Sequence, residues 1–475
     1  MTFASLVSAL LPLRTNSESR VTHMRRLSTL TLLSTPLLLS GCAGLTGHGP
    51  ASPAAVPVTG MHGSVHGGRQ PIAGASIQLY QTGTTGYGTG ATGLISGGVL
   101  TDGAGMFTFT GLYSCTSGSQ VYLVSAGGNP GSGTNNSATL MVALGLCDNL
   151  NASTYISMNE ITTVAAVWAL SPFMNPAPAG TAAVNETGVV DAKAINIGAP
   201  ATNQNGLANA FADANALVNT ATGYSPGIGL PSGTTIPTSE LNTLADILAS
   251  CVNSTGSGDS GNCDTLFGYT PSRAAVTPAD TIDAAINMAR NPGVNVSNLV
   301  ARATPTAPYQ PTLATMPDLT VAITFSGIGI NSPTAVAVDA SGNIWIANSA
   351  AGANSVTKLS HSGVALSGAA GYVGGSLSSP AAVAIDTTGN AWIANAGTST
   401  LTELTATGTN AAGSPFSGAG LSNPSSIGFD GLGNLWVSNS GNNSASEFSS
   451  TGTALSPSSG YTGVSAPIGV AVNPH

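Results

Sequence analysis

Apolar and polar positions along this chain follow three successive rhythms. From Val58 the period is two: "GSVHGG", "ASIQLYQ", "GGVLTDGAGMFTFTG", "QVYLVSAG" and "SATLMVALG" are short alternating runs separated by Gly-rich turns. Side chains that alternate in this way suit strands with one buried face, so residues 58–150 are expected to form a small antiparallel β-sandwich. From Tyr155 to about Ala301 the spacing becomes helical. In "NEITTVAAVWAL" the residues Ile161, Val164, Ala165 and Trp168 fall on one helix face, and "NGLANAFADANALVNTA", "TSELNTLADILASCV" and "TPADTIDAAINMARNPG" follow the same rule. In the last segment Thr277 reads as the N-cap, Pro278 as the first helical residue and Asp280 as a charge near the positive end of the helix dipole. These stripes are expected to build a helical core over 151–302 rather than a cofactor site, followed by a Pro-rich linker, "ATPTAPYQPTLATMPD", at 303–318.

The third rhythm is a repeat over 319–475. "AVAVDASGNIWIANS" at 335–349 returns as "AVAIDTTGNAWIANA" at 382–396 and "SIGFDGLGNLWVSNS" at 426–440, and "PIGVAVNPH" begins it again. Pro333, Pro380, Pro424 and Pro467 mark the register, with steps of 47, 44 and 43 residues. Each unit reads as an apolar strand, a D-x-x-G-N turn, a W-I-A-N-type strand, a third strand and a fourth. Four short strands per 40–50 residues is the pattern of a β-propeller blade. Asp339, Asn343, Asp386, Asn390, Asp430 and Asn434 are the repeat-turn residues, while Trp345, Trp392 and Trp436 are placed to fill the space between neighbouring blades. The stretch "ITFSGIGINSP" reads as an outer strand, so the expected content is one outer strand, three complete blades and one inner strand. The fold class expected is multidomain and mainly β: a small sandwich, an α-helical middle and a C-terminal propeller segment. Propellers close with four or more blades. Continuation of the chain, a ring completed by a homodimer, or an open stack would each accommodate three, and continuation is favoured because the last phrase is interrupted.

The repeated phrase resembles NHL-type repeats and, within that superfamily, streptogramin-lyase-like propellers. That resemblance implies a carbon–oxygen lyase with catalytic His and acidic residues and a divalent metal at the propeller centre. The chain offers His361, His475, Glu403 and Glu447 in this region. His361 falls in a turn where the other units carry Ala406 and Ser450, and Glu403 and Glu447 align with Lys358 on third strands. None matches the family's site, and no catalytic residue is assigned. Earlier in the chain, "VHGGRQPIAGASIQLY" and "TDGAGMFTFTGL" resemble the carboxypeptidase regulatory-like, or transthyretin-like, domain over about 58–126, which implies a binding or spacer module.

The N-terminus determines the expected compartment. "MRRLSTLTLLSTPLLLSGCAG" places Arg25 and Arg26 before an apolar run from Leu27 to Leu39 that is too short to span a bilayer as a helix. Leu39-Ser40-Gly41-Cys42 resembles the lipobox of bacterial lipoproteins, which implies cleavage before Cys42 and a diacylglycerol on its thiol. Residues 1–41 are then an upstream extension and signal peptide, and 42–57 a flexible tether. The expected location is the bacterial cell envelope, lipid-anchored at the outer membrane or cell surface. Export brings an oxidising environment, so the four remaining cysteines are expected to pair locally as Cys115–Cys147 and Cys251–Cys263. Zinc is disfavoured because no C-x-x-C knuckle or neighbouring His accompanies them.

Composition excludes more than it identifies. Only 6% of residues are charged and the formal net charge is −9, so a phosphate-tracking groove and nucleic-acid partners are not expected. The D-x-x-G-N turn offers too few oxygens for calcium. His62 and His66, four apart in a strand, lie about 13 Å from each other, too far to chelate one ion. Glu160 and Asp246 read as solvated helix positions. No metal or cofactor is expected. The reading is a non-enzymatic scaffold with a protein or glycan ligand; the alternative is a streptogramin-lyase-like enzyme whose site lies in further blades.

Overall fold

The structure is a computed structural model that describes residues 55–472, apart from 59, 96–97, 111–112, 176–182, 185–189, 192–194, 259–260, 305 and 352. The signal segment, Cys42, the tether up to residue 54 and His475 lie outside the described residues. The chain is multidomain and mainly β.

The first part is a two-sheet sandwich. One sheet is built on the antiparallel strands Ser76–Gln81, Gln120–Ala126 and Thr139–Leu146. The other is built on His62–Gly67, which pairs with Gln70–Pro71, Met106–Thr108 and Tyr155–Met158. Val65, Leu79, Phe107, Leu123 and Leu140 fill the space between them. The strand Gln120–Ala126 is buried along its whole length, because Val121 and Leu123 face this interior while Tyr122 and Val124 face the helical core. Strand Ala55–Val58 pairs with Tyr113–Thr116 and so begins inside the segment read as tether. Tyr155–Met158, inside the segment read as helical, joins the sandwich as a parallel strand beside His62–Val65. The bridge Cys115–Cys147 ties the sandwich across 32 residues of sequence.

The parallel strand runs straight into helix α1 (Glu160–Leu170) through a capping box: the Asn159 side chain accepts from the Thr162 N–H, and the Thr162 hydroxyl accepts from the Asn159 N–H. Helix α1 is buried on nearly every side, against α2 (Gln204–Leu217), α3 (Thr238–Val252), α5 (Thr281–Arg290) and the strand Thr139–Leu146. Cys251 at the end of α3 is bridged to Cys263, the first residue of α4 (Cys263–Tyr269). Helix α5 begins later than its sequence suggests. Asp280, not Thr277, is the N-cap: its carboxylate accepts from the Asp283 N–H at 2.9 Å, and the Thr281 hydroxyl anchors the start by donating to the Thr139 carbonyl.

The segment 303–318 is not a free linker. Tyr309 is 3% exposed and Leu319 is fully buried, and the Trp168 indole N–H donates to the Leu319 carbonyl at 2.7 Å. Asn242 and Thr243 of α3 hydrogen-bond Pro311 and Leu313. Prolines favour an extended path, but buried side chains and these backbone bonds turn that path into a strap across the helices.

Three blades follow. The first comprises Pro333–Val338, Ile344–Ala350 and Ala353–Leu359; the second Pro380–Ile385, Ala391–Asn395 and Thr400–Leu404; the third Pro424–Phe429, Leu435–Asn439 and Ser444–Phe448. The expected fourth strands are reduced to the single bridges Val356–Tyr372 and Leu401–Phe416 and the two-residue strand Tyr461–Thr462. Glycines at positive φ such as Gly368 and Gly371, and Pro415 without an N–H, prevent a longer ladder. Each short outer segment still delivers an aromatic ring onto its tryptophan: Tyr372 on Trp345, Phe416 on Trp392 and Tyr461 on Trp436, with centroids 5.8, 5.1 and 5.7 Å apart. The stretch read as a preceding outer strand pairs Thr324–Phe325 with Thr234–Thr235 of the helical part. Its Phe325 packs on Gly363, as Tyr372 packs on Gly408 and Phe416 on Gly452.

The asparagines of the W-I-A-N strands are the buried fasteners of the blades. Asn348, Asn395 and Asn439 are fully buried, and each accepts a backbone N–H from the preceding loop while donating to hydroxyls of the third strand. Asn395→Ala orphans the Ser378 N–H and the Thr402 oxygen, and leaving such groups unpaired costs about 1–3 kcal/mol. Urea unfolding of the full chain is expected to show that loss, with Ala396→Ser as a near-neutral control.

Candidate functional site

Each D-x-x-G-N turn closes on its own aspartate. Asp339 Oδ1 accepts from the N–H groups of Ser341 and Asn343 at 3.0 and 2.9 Å, and Oδ2 accepts from Asn343 Nδ2 and Trp345 Nε1 at 2.9 and 3.2 Å. Asp430 repeats this set with Leu432, Asn434 and Trp436. Asp386 binds the N–H groups of Thr388 and Asn390 and the Trp392 indole, while Asn390 Nδ2 turns to Glu403 at 2.8 Å. Burial pushes the Asp339 carboxyl upward, but the donors from Asn343 and Trp345 and the nearby Lys358 outweigh it and leave the pKa below its ordinary value.

Lys358 sets the first blade apart at its third-strand position. Its ammonium sits 3.4 Å from Asp339 Oδ2, lies over the Trp345 ring at 4.4 Å and donates to the Ala406 carbonyl of the next blade. Glu403 and Glu447 hold the equivalent place; Glu403 accepts from Asn390 and Glu447 from the Tyr461 hydroxyl. His361 is half-buried in its turn, with its pKa lowered by burial. The repeat-turn carboxylates are therefore engaged in holding turns and tryptophans. Among the described residues, no group of three or more His, Cys, Asp or Glu is placed to hold a metal ion. His62 packs edge-on to Tyr155 at 5.4 Å, and His66 is half-buried with a lowered pKa.

The blades differ most on one face. Val383 of the second blade is 8% exposed, packed with Trp345 and Ala347 of the first, and Ile385 packs beside it. In the third blade Ile427 and Phe429 pack on the second, with Phe429 edge-on to Trp392 at 6.3 Å. The matching residues of the first blade, Val336 and Val338, are 51% and 61% exposed. This face of the first blade has the apolar side chains of a blade interface and leaves them open.

A second site corrects the sequence reading. Glu160 and Asp246 are not solvated: they are 0% and 1% exposed. Glu160 accepts two bonds from the Gly68 N–H, at 3.1 and 2.9 Å, and one from the Tyr309 hydroxyl at 2.6 Å. Asp246 Oδ1 accepts from the Tyr309 N–H at 3.1 Å, and Oδ2 has no partner. Desolvation raises both carboxyls, against the hydrogen bonds, to about 7. An open cavity of about 220 Å³ lies alongside, lined by Gly67, Gly68, Arg69, Asn253 and Pro308 among others. Helical periodicity could not reveal this cluster, because Gly68 and Tyr309 come from distant segments.

Replacing Asp386 by Ala strands two turn N–H groups and the Trp392 indole. The melting temperature of the full chain is expected to fall by several degrees, whereas millimolar calcium or a chelator leaves the parent protein's unchanged. A calcium-dependent rise would instead assign these turns a metal.

No protein-family model and no curated protein matches this chain. Among solved structures it is similar to virginiamycin B lyase from Staphylococcus aureus, with 16% identity over 26% of this chain and 40% of that one and a TM-score of 0.23. Streptogramin B lyase gives 22% identity over 28% and 43% of the two chains, also with a TM-score of 0.23. A functionally unknown protein from Desulfotomaculum acetoxidans gives 19% identity over 33% and 50%, with a TM-score of 0.27. The chain spans half or less of the length of each of these three.

Proposed function

We propose that this protein is a lipid-anchored scaffold of the bacterial cell envelope that binds a protein partner through its propeller, without catalysing a reaction. The observation that carries the reading is the open apolar face of the first blade. Val336 and Val338 stand where the other blades bury Val383 and pack the partly buried Ile385, Ile427 and Phe429 against their neighbour. Apolar side chains at such positions release water when another protein surface covers them, which is the main favourable term in protein association. The engaged state of the turn carboxylates favours recognition over acid–base chemistry, since each Asp already accepts from its own turn and tryptophan.

Export is supported by the disulfides Cys115–Cys147 and Cys251–Cys263, which suit an oxidising compartment. The anchor rests on the lipobox-like sequence ending at Cys42. The two acyl chains of a diacylglycerol together hold a protein firmly at a membrane, where a single chain binds only reversibly. Cys42→Ala is expected to move the full-length protein from the detergent to the aqueous phase in detergent-phase partitioning; retention in detergent would remove the anchor from the proposal.

The partner surface is tested in native membranes. A photo-crosslinking residue at position 336 is expected to trap a defined protein adduct that the same residue at Leu100, 54% exposed on the sandwich, does not. Val338→Lys is expected to reduce that adduct about tenfold or more, the loss of an apolar anchor at an interface core. A second copy of this chain as the trapped species would make the partner a homodimer. Equal labelling at both positions, or streptogramin turnover by the full chain, would overturn the scaffold reading.

A further inference from the structure

Glu160, Asp246 and Tyr309 meet where three parts of the chain touch. Gly68 comes from the turn between His62–Gly67 and Gln70–Pro71 of the sandwich, Glu160 opens α1, Asp246 lies on α3, and Tyr309 is the centre of the 303–318 strap. Tyr309 is held at both ends of the residue: its N–H by Asp246 and its hydroxyl by Glu160. The two carboxylates are thus joined through one tyrosine of the strap. We propose that this cluster is a pH-operated latch, closed while at least one of the two carboxyls is protonated and released when both ionise.

The groups facing the cluster are few. Tyr309 and Asp246 act on it directly, Tyr224 in the loop after α2 adds to the field at Tyr309, and the sandwich contributes the Gly68 N–H. No cation figures among the groups acting on Glu160, Asp246 or Tyr309. On the sandwich side, His66 is half-buried with its pKa lowered and Arg69 is exposed. Around α1, Asp213 lies on α2 and Asp280, Asp283 and Arg290 at or on α5; Arg290 donates to the carbonyls of Ser171 and Met174, and Asp280 caps its helix. Around α3, Glu240 sits in its first turn and Arg302 donates to Ser250 and the Asn262 carbonyl.

With one proton in the cluster, Glu160 as the carboxylate is met by Gly68 and Tyr309, and a protonated Asp246 has neutral oxygens that tolerate burial. Once both are charged, Asp246 Oδ2 is a buried anionic oxygen with no partner, close to a second carboxylate. Such a state is relieved by admitting water, and the strap is the segment that covers both groups. The sign follows from linkage. A carboxyl whose pKa is raised in the folded protein stabilises it fully below the ordinary carboxylate range, and that stability is lost as pH rises through the folded value. Both folded values are about 7, so the latch is closed in mild acid and opens above neutrality.

Hydrogen exchange of the full chain, corrected for intrinsic rates, reads the latch directly. The amides of Tyr309 and Leu313 in the strap, and of Leu319 directly after it, are bonded to Asp246, Thr243 and Pro292. Between pH 5.5 and 8.5 their protection is expected to fall tenfold or more, with a midpoint near 7, while that of Val356 and Leu401 in the blades holds. Asp246→Asn keeps the Gly68 and Tyr309 bonds to Glu160 and is expected to leave the strap protected at pH 8.5; Glu160→Gln with Asp246→Asn is expected to do the same. Equal strap protection at both pH values in the parent protein overturns the proposal whether or not the variants fold. So does a pH dependence that survives undiminished in Asp246→Asn.

Discussion

A buried carboxylate with no cation beside it must be met by neutral N–H and O–H donors, or it draws a proton or water. This chain has 10 Lys and Arg against 19 Asp and Glu, so most of its buried and half-buried acids face that constraint. In the propeller the solution is local: the turn supplies two N–H groups and the tryptophan six residues on supplies a third. The carboxylate thereby fixes the turn and the indole together, and the indole fills the space against the next blade. In the helical part the solution is long-range, with Glu160 met by the sandwich and the strap. The same requirement that makes one set of carboxylates rigid leaves the other sensitive to protonation.

The sandwich and the helices depend on each other through a shared sheet. Gln120–Ala126 and Thr139–Leu146 present one face to the sandwich interior and the other to α1. Neither half can lose its partner without exposing an apolar face, so the two cores act as one unit. The Cys251–Cys263 bridge, closing 12 residues, restrains the end of α3 close to Val252, which packs into the sandwich core. Thr234–Thr235 then provides the strand on which Phe325 is set before the first blade.

Across the blades, charge is replaced by amides and hydroxyls. Asn348, Asn395 and Asn439 each join a loop N–H to two third-strand hydroxyls, and Asn354, Ser399 and Asn443 accept from the N–H of the residue just before the next register proline. Between these polar edges lie the apolar contacts of Trp345 with Val383 and of Trp392 with Phe429. The first blade alone presents such apolar positions, Val336 and Val338, without a blade before it, and that asymmetry is what distinguishes it as a surface.

Elements whose causes are local were legible in the residues alone. Period-two runs marked the sandwich strands, helical spacing marked α1, α2, α3 and α5, and the recurrence of Pro, D-x-x-G-N and Trp marked the blades. The two cysteine pairs were legible because their partners are near in sequence. Long-range contacts decided the rest. A glutamate at the start of a helix looks the same in sequence whether water or Gly68 and Tyr309 meet it, so the burial of Glu160 and Asp246 needed the fold. The Pro-rich strap looked like a linker because nothing local shows that Leu319 and Tyr309 are covered. The N-cap of α5 moved to Asp280 because Thr281 bonds to Thr139, a partner 142 residues away. The repeat supplied identical apolar positions in every blade, and only the packing of each blade on the one before it decided which were buried and which were left open.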